Sequence, residues 1–219
     1  MTKRDLLTPL ERLPYFTIEA FKQILGVGEN ESQRVRALLS RWAKQGHILR
    51  LKKGMYMTRK FYFLHQGDAA FRPAVSSIIL PQSYLSLHYI LQLEGILTEA
   101  TYPITGVTYK NTRTIENSLG VFEYQHIKPG LYKGFSHHEY HGVRYHMASK
   151  AKALFDFFYY YPMPRAYRKD HINLAEDLRL NVGEYSETER EEFAVYIAES
   201  ESPKMEYVLE NLRRNSWQP

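Results

Sequence analysis

The chain has no cysteine, which removes disulfide frameworks, thiolate metal sites and cysteine nucleophiles together. No apolar run approaches the ~20 residues that a membrane span requires. The opening residues, Met1-Thr2-Lys3-Arg4-Asp5, lead into an amphipathic pattern rather than an apolar signal segment. A cytoplasmic protein with no membrane partner is expected. Also missing are a phosphate-cradling glycine loop, a nucleophile elbow and a paired-carboxylate motif. No enzymatic activity and no cofactor are therefore expected. There is no internal repeat and no low-complexity segment.

Negative charge is scarce in the first part of the chain. Residues 1–65 hold five carboxylates (Asp5, Glu11, Glu19, Glu29, Glu31) against thirteen Lys and Arg, a balance of +8, while the remainder nets −3. The overall +5 of the 219 residues thus conceals a polarised molecule. Positive charge gathered on one small unit is the electrostatic footprint of phosphate-backbone binding. An apolar content of 44% with 14% aromatic residues is ample for a buried core, so a folded chain rather than global disorder is expected. The length suits a basic unit of about 60 residues followed by one of about 150.

The basic unit reads as three helices and a hairpin. Leu6, Leu10 and Leu13 form an apolar stripe, with Thr8-Pro9 as N-cap and first helical residue and Pro14 as the stop. Thr17 caps a second helix with Ile18, Phe21 and Leu25 inward, and Gly26 and Gly28 end it. Asn30 opens a third helix, with Gln33 in the capping-box position. Val35, Leu38, Leu39 and Trp42 make its buried stripe, and Gly46 closes it. A strand over His47–Leu51, a turn at Lys52-Lys53-Gly54 and a return strand from Met55 to Thr58 complete the unit.

This order describes a winged helix-turn-helix, whose third helix can enter a major groove with its N-terminal residues facing base edges. Once the apolar stripe is turned inward, Ser32, Gln33, Arg34, Arg36, Arg41 and Lys44 remain outside. Arg suits guanine and Gln suits adenine in bidentate contacts, whereas Ser32 and Lys44 are better placed for phosphate. Lys52 and Lys53 at the hairpin tip, with Arg50 behind them, would lie along the backbone or in the minor groove. Basic residues on an isolated helix are usually just a solvated face. Here the charge is one-sided and covers both helix and hairpin, so double-stranded DNA is the expected partner.

Residues 61–80 read as a connector with some helix, capped by Asp68 and disturbed by Pro73. A helix is predicted from Ser83 or Ser86, with Tyr84, Leu87, His88 and Leu91 on one face. Strands are predicted at 107–109, 112–115, 121–127 and 143–147, separated by turn signals at Asn117-Ser118, Pro129-Gly130 and His141-Gly142. Ser149 caps a helix whose inner face is Ala151, Leu154, Phe155 and Phe158, stopped by Pro162 and Pro164. Ser202-Pro203 starts a last helix with Met205, Val208, Leu209 and Leu212 inward. The fold class is α+β: a winged helix-turn-helix over 1–60, a connector over 61–80, and a larger α+β domain over 81–219. That domain should carry a small, mostly antiparallel sheet and C-terminal helices.

Three constellations invite a functional reading. His137, His138, His141 and His146 crowd one window with Glu139, yet a metal would need ligands from elsewhere. Exposed histidines on a hairpin are the favoured reading, and no metal site is expected. Asp156 is the candidate buried carboxylate, bonded to an amide or paired with a base rather than catalytic. Tyr159, Tyr160 and Tyr161 beside Arg165, Tyr167 and Arg168 form either an interaction patch or a half-buried helix end.

Three segments carry a resemblance. Lys53-Gly54-Met55-Tyr56-Met57 is similar to a basic-Gly-x-Tyr wing. Pro81-Gln82-Ser83-Tyr84-Leu85-Ser86-Leu87, followed by Glu94-Gly95-Ile96-Leu97, and Met147-Ala148-Ser149-Lys150-Ala151-Lys152-Ala153-Leu154-Phe155-Asp156 follow in order. Together they resemble the AbiEi family of type IV toxin–antitoxin antitoxins over most of the chain. Lys150-Ala151 departs from that family's usual Pro-Glu, and Tyr89 or Ile90 stands where a small residue is customary. The resemblance implies a transcriptional autoregulator that binds the operator of its own operon. It also implies a larger domain that counters a cognate nucleotidyltransferase-like toxin. Two rivals remain: a free-standing regulator whose second domain dimerises or senses a ligand, and a nuclease. A nuclease requires Asp followed by Glu-x-Lys, and Asp156 lacks that sequel.

Overall fold

Leu6, Leu10, Phe16, Phe21, Val35, Leu39, Trp42, Ile48 and Tyr56 form one buried cluster, and the first elements are those that bring these side chains together. The computed structural model describes residues 3–98, 103–163 and 172–217. Helix α1 (Lys3–Leu7) precedes a 3-10 turn over Thr8–Leu10. The regular helix thus lies before Pro9, not after it, because proline offers no N–H to continue the ladder. Helix α2 comes after a two-residue strand, β1 (Phe16–Thr17), that the sequence pattern is too short to announce. It spans Ile18–Leu25, is capped by the Thr17 hydroxyl, which accepts the Ala20 amide at 3.1 Å, and ends at Gly26 with φ +65°.

Helix α3 is Ser32–Lys44. Asn30 does not cap it; a 3-10 turn over Glu29–Glu31 leads in instead, and no side chain caps the helix. Strands β2 (Ile48–Lys52) and β3 (Met55–Thr58) form the hairpin, giving an antiparallel sheet of order β1-β3-β2. Phe16 lies opposite Tyr56, and their rings stack at 5.8 Å.

The chain divides into two units. The first comprises Met1–Pro81 with Ile115–Val121 and Glu139–Tyr145, and the second holds the rest. Residues 61–80 are more ordered than a connector. Helix α4 (Arg59–His65) is capped by Thr58, and α5 (Phe71–Ile79) is buried along almost its whole length. Pro73 does not disturb α5; it sits in the first turn, where its missing N–H had no intrahelical acceptor. Nor does the Asp68 side chain cap α5: it bonds His65 and Tyr140 instead.

The six-stranded sheet has the order β6-β7-β5-β4-β9-β8. Its strands are β4 (Ser83–Leu85), β5 (Ile104–Thr108), β6 (Arg113–Asn117), β7 (Gly120–His126), β8 (Phe135–Tyr140) and β9 (Val143–Ala148). It is larger and more mixed than the sequence predicts: β4 runs antiparallel to β5, but β4 with β9 and β5 with β7 are parallel pairs. The helix predicted from Ser83 or Ser86 is a strand there, and α6 (His88–Leu93) starts later. Gly106 of β5 lies so close to its neighbour that a Cβ would sit 2.8 Å from the Tyr84 carbonyl oxygen.

Helix α7 (Lys150–Tyr160) is capped by Ser149, whose hydroxyl accepts the Lys152 amide at 3.0 Å. Helices α8 (Leu174–Asp177), α9 (Glu187–Ser200) and α10 (Pro203–Asn215) follow. Pro203 is at the start of α10 as predicted, although Ser202 makes no side-chain cap. Arg165, Tyr167 and Arg168 of the predicted interaction patch, and Pro164 of the predicted helix stop, lie outside the described residues.

Candidate nucleic-acid interface

Helix α3 buries Val35, Leu39 and Trp42 against the core of the first unit. With roughly 100° per residue, that leaves Gln33, Ala37, Ser40 and Lys44 along the middle of the opposite face. Arg36 flanks this line on one side, and Arg34 and Arg41 flank it on the other. All seven are exposed. Ala37 and Ser40 were not singled out from the sequence, although the same spacing that identifies the buried stripe would have found them.

The start of α3 is fixed by a small polar network. The buried Lys22 ammonium donates to both carboxylate oxygens of Glu29, at 3.0 and 3.1 Å, and pairs with Glu19 at 3.1 Å. Glu29 also accepts from the Ser32 hydroxyl at 3.1 Å. These bonds hold the Glu29 carboxyl below its usual range and push the Lys22 ammonium up. Ser32 is thereby half-buried and engaged with its own loop.

The hairpin is tied down on several sides. Gly54 takes φ +80°, a left-handed conformation that glycine adopts freely, and its carbonyl accepts the Ile18 amide at 3.2 Å. The register slips between Arg50 and Lys52, so Arg50 faces Tyr56 and Lys52 faces Met55. The outer edge of β2 is partly capped, since the Asn117 side-chain amide donates to the Leu51 carbonyl at 2.8 Å.

The predicted cations therefore separate into two groups. Lys52 is half-buried and its ammonium donates to the Ile79 carbonyl at 2.7 Å. Arg34 pairs with Glu31 at 3.3 Å on the surface. Arg36, Arg41, Lys44, Arg50 and Lys53 are exposed and make no side-chain hydrogen bond or ion pair among the described residues. Lys22 and Lys60, part of the sequence's positive excess, are engaged with carboxylates, Lys60 with Glu11 at 2.7 Å.

No family model matches the chain, and no curated protein matches it.

In the second unit the most constrained polar group is Asp156, which is wholly buried, as its sequence context predicts. It accepts from the Lys152 ammonium at 2.6 Å, the Ser86 hydroxyl at 2.6 Å and the Tyr84 hydroxyl at 3.0 Å. Burial pushes its carboxyl up and the Lys152 ammonium down, and their mutual attraction opposes both shifts. Tyr84 and Ser86 come from one segment that carries the family resemblance, Lys152 and Asp156 from another. The sequence presents these segments separately; their junction is a single buried network, suited to holding β4 against α7.

The histidine window also resolves. His137 and His146 face each other from β8 and β9, with Nδ1 atoms 2.9 Å apart, and His138 bonds the Ser136 hydroxyl at 2.7 Å. His141 is not on β8: it occupies the following turn, with φ +48°. No helix among the described residues is long and apolar enough to cross a membrane.

Proposed function

We propose that this protein is a DNA-binding transcriptional autorepressor and the antitoxin of a type IV toxin–antitoxin system, counteracting a nucleotidyltransferase-type toxin. The observation that carries the DNA half is the exposed set Gln33, Arg36, Arg41, Lys44, Arg50 and Lys53, whose cations no carboxylate of the described residues neutralises by direct pairing. The order α1-α2-α3-β2-β3 with β1 completing the sheet supports a winged helix-turn-helix reading, in which α3 enters the major groove and the β2–β3 hairpin is the wing. Gln33 and Arg36 are then the base-reading candidates, and Lys44, Arg50 and Lys53 the phosphate contacts.

The antitoxin half rests on the resemblance to the AbiEi family. Its support is that four residues of two resembling segments, Tyr84, Ser86, Lys152 and Asp156, form one buried network.

Fluorescence anisotropy with the DNA upstream of the gene, against a random duplex of equal length, tests the first half. Preference for the upstream duplex is expected, and equal binding to both would overturn the repressor reading. Co-expression with the adjacent reading frame tests the second. Relief of growth arrest is expected; DNA binding without any rescue would leave a free-standing regulator.

A further inference from the structure

We propose that His65, Asp68 and His141 form a binding site for a divalent transition metal of the zinc type. The three residues belong to the first unit, and none of them is among the basic residues just described. One ligand atom from each falls within 4.8 Å of the others. The His65 Nδ1 is 3.1 Å from the Asp68 Oδ2. Ligand atoms about 2.0–2.2 Å from a tetrahedral zinc are about 3.3 Å from one another, so this pair already has the required spacing. The His65 and His141 rings are edge-to-face with centroids 4.5 Å apart, and a small closure would bring the third ligand in.

The surroundings suit the site. His65 is the last residue of α4 and Asp68 stands three residues on, in the turn that follows, so a short stretch of chain presents both. His141 comes from the β8–β9 turn, where it takes φ +48° beside Gly142 at +76°, a conformation uncommon for a residue with a side chain. Phe61 packs against both imidazoles, at 4.3 and 5.4 Å between centroids, giving the cluster an apolar wall. The Tyr140 hydroxyl donates to Asp68, the kind of outer hydrogen bond that orients a metal-bound carboxylate. Two imidazoles and one carboxylate suit zinc, cobalt or nickel over calcium or magnesium. Three protein ligands leave a fourth position for water. A bound ion would clamp the end of α4 to the β8–β9 turn.

The sequence alone groups His141 with His137, His138 and His146 and favours exposed histidines there with no metal site. The test must therefore separate the two groups. Full-length protein, stripped with a chelator, is titrated with Zn2+ by calorimetry and with Co2+ by visible absorption. One equivalent is expected to bind, with a rise in melting temperature. Asp68→Asn, nearly isosteric and exposed, and His141→Ala should each weaken binding by at least about tenfold, and Tyr140→Phe by about tenfold. The double variant His137→Ala, His146→Ala should bind as the wild type does. Failure of wild-type protein to bind either metal would overturn the proposal. So would undiminished binding by Asp68→Asn and His141→Ala, or loss of binding in the His137/His146 variant, which would assign the metal to that pair.

Discussion

Arg36 and Lys52 carry the same charge, yet the surroundings give them different work. Arg36 is exposed and without a hydrogen bond or ion pair among the described residues, so Arg36→Ala is expected to cost about 1–3 kcal/mol of specific DNA affinity if it reads a base. An equal loss on random DNA would reduce it to a phosphate contact. Lys53→Ala should lower the slope of log K against log salt by about one unit. Lys52→Ala should change that slope less and thermal stability more, because the Ile79 carbonyl loses its charged donor. Salt titrations and melting curves on the two variants separate these effects. Glu29 adds a dependence on pH. Its folded carboxyl is held low by Lys22 and Ser32, so the stabilisation is present above the ordinary carboxylate pKa and is lost as pH falls through the lowered value. Glu29→Gln is expected to flatten the acid side of the stability curve, measured as melting temperature against pH. An unchanged acid limb would show that the network at the start of α3 contributes nothing.

Elements differ in how far their own residues announce them. Helix α7 was legible because Ser149 caps it and Ala151, Leu154, Phe155 and Phe158 repeat at helical spacing, all of them buried. The β2–β3 hairpin was legible from Lys53-Gly54 between apolar runs. Strand β4 was not. Its three residues are all buried, so no alternation marks it, and its pairing with β5 and β9 comes from distant chain. Helix α5 was obscured by Pro73, and because Ser76 and Ser77 are buried along with its apolar residues, its polar side does not mark a solvent face. In the basic unit, the exposed residues of α3 followed directly from the buried stripe, whereas the engagement of Lys52 depends on Ile79, far along the chain, and no local pattern records it. The buried pair of α7 supplies an element-level prediction. Asp156→Ala leaves the Lys152 ammonium buried without its partner, at an expected cost of about 3–5 kcal/mol in urea unfolding. Lys152→Met combined with Asp156→Asn should recover most of that, since the asparagine oxygen still accepts from Tyr84 and Ser86. If the double variant is no better than Asp156→Ala, the charge pair itself stabilises the fold.

The first unit is assembled from separated stretches of chain, and this governs how the two proposed activities can be divided. A cut before residue 61 would remove α1 to α3, the β2–β3 hairpin, and the Thr58 cap and first two residues of α4, but leave the rest of α4, α5 and the ends of two other hairpins. Asn117 would lose the Leu51 carbonyl that its side chain now holds, and the Ile79 carbonyl would lose the Lys52 ammonium. Phe61 against His141 and the Ser77 hydroxyl on the Arg144 carbonyl would persist, but next to surface that β2 no longer covers. A fragment of residues 61–219 is therefore expected to lose DNA binding and to keep much of its helical circular dichroism. It should melt at a clearly lower temperature than the full chain. Rescue of growth by such a fragment would be weakened by instability alone, so the cleaner separation uses full-length protein carrying Arg36→Ala and Lys53→Ala. Both side chains are exposed and neither packs in the core. This variant should lose binding to upstream DNA, melt like the wild type and still relieve the growth arrest caused by the cognate toxin. Protection lost together with DNA binding, in a variant of unchanged melting temperature, would mean that neutralisation runs through the basic face. A fragment that melts with the full chain would show that the first unit does not depend on its N-terminal elements.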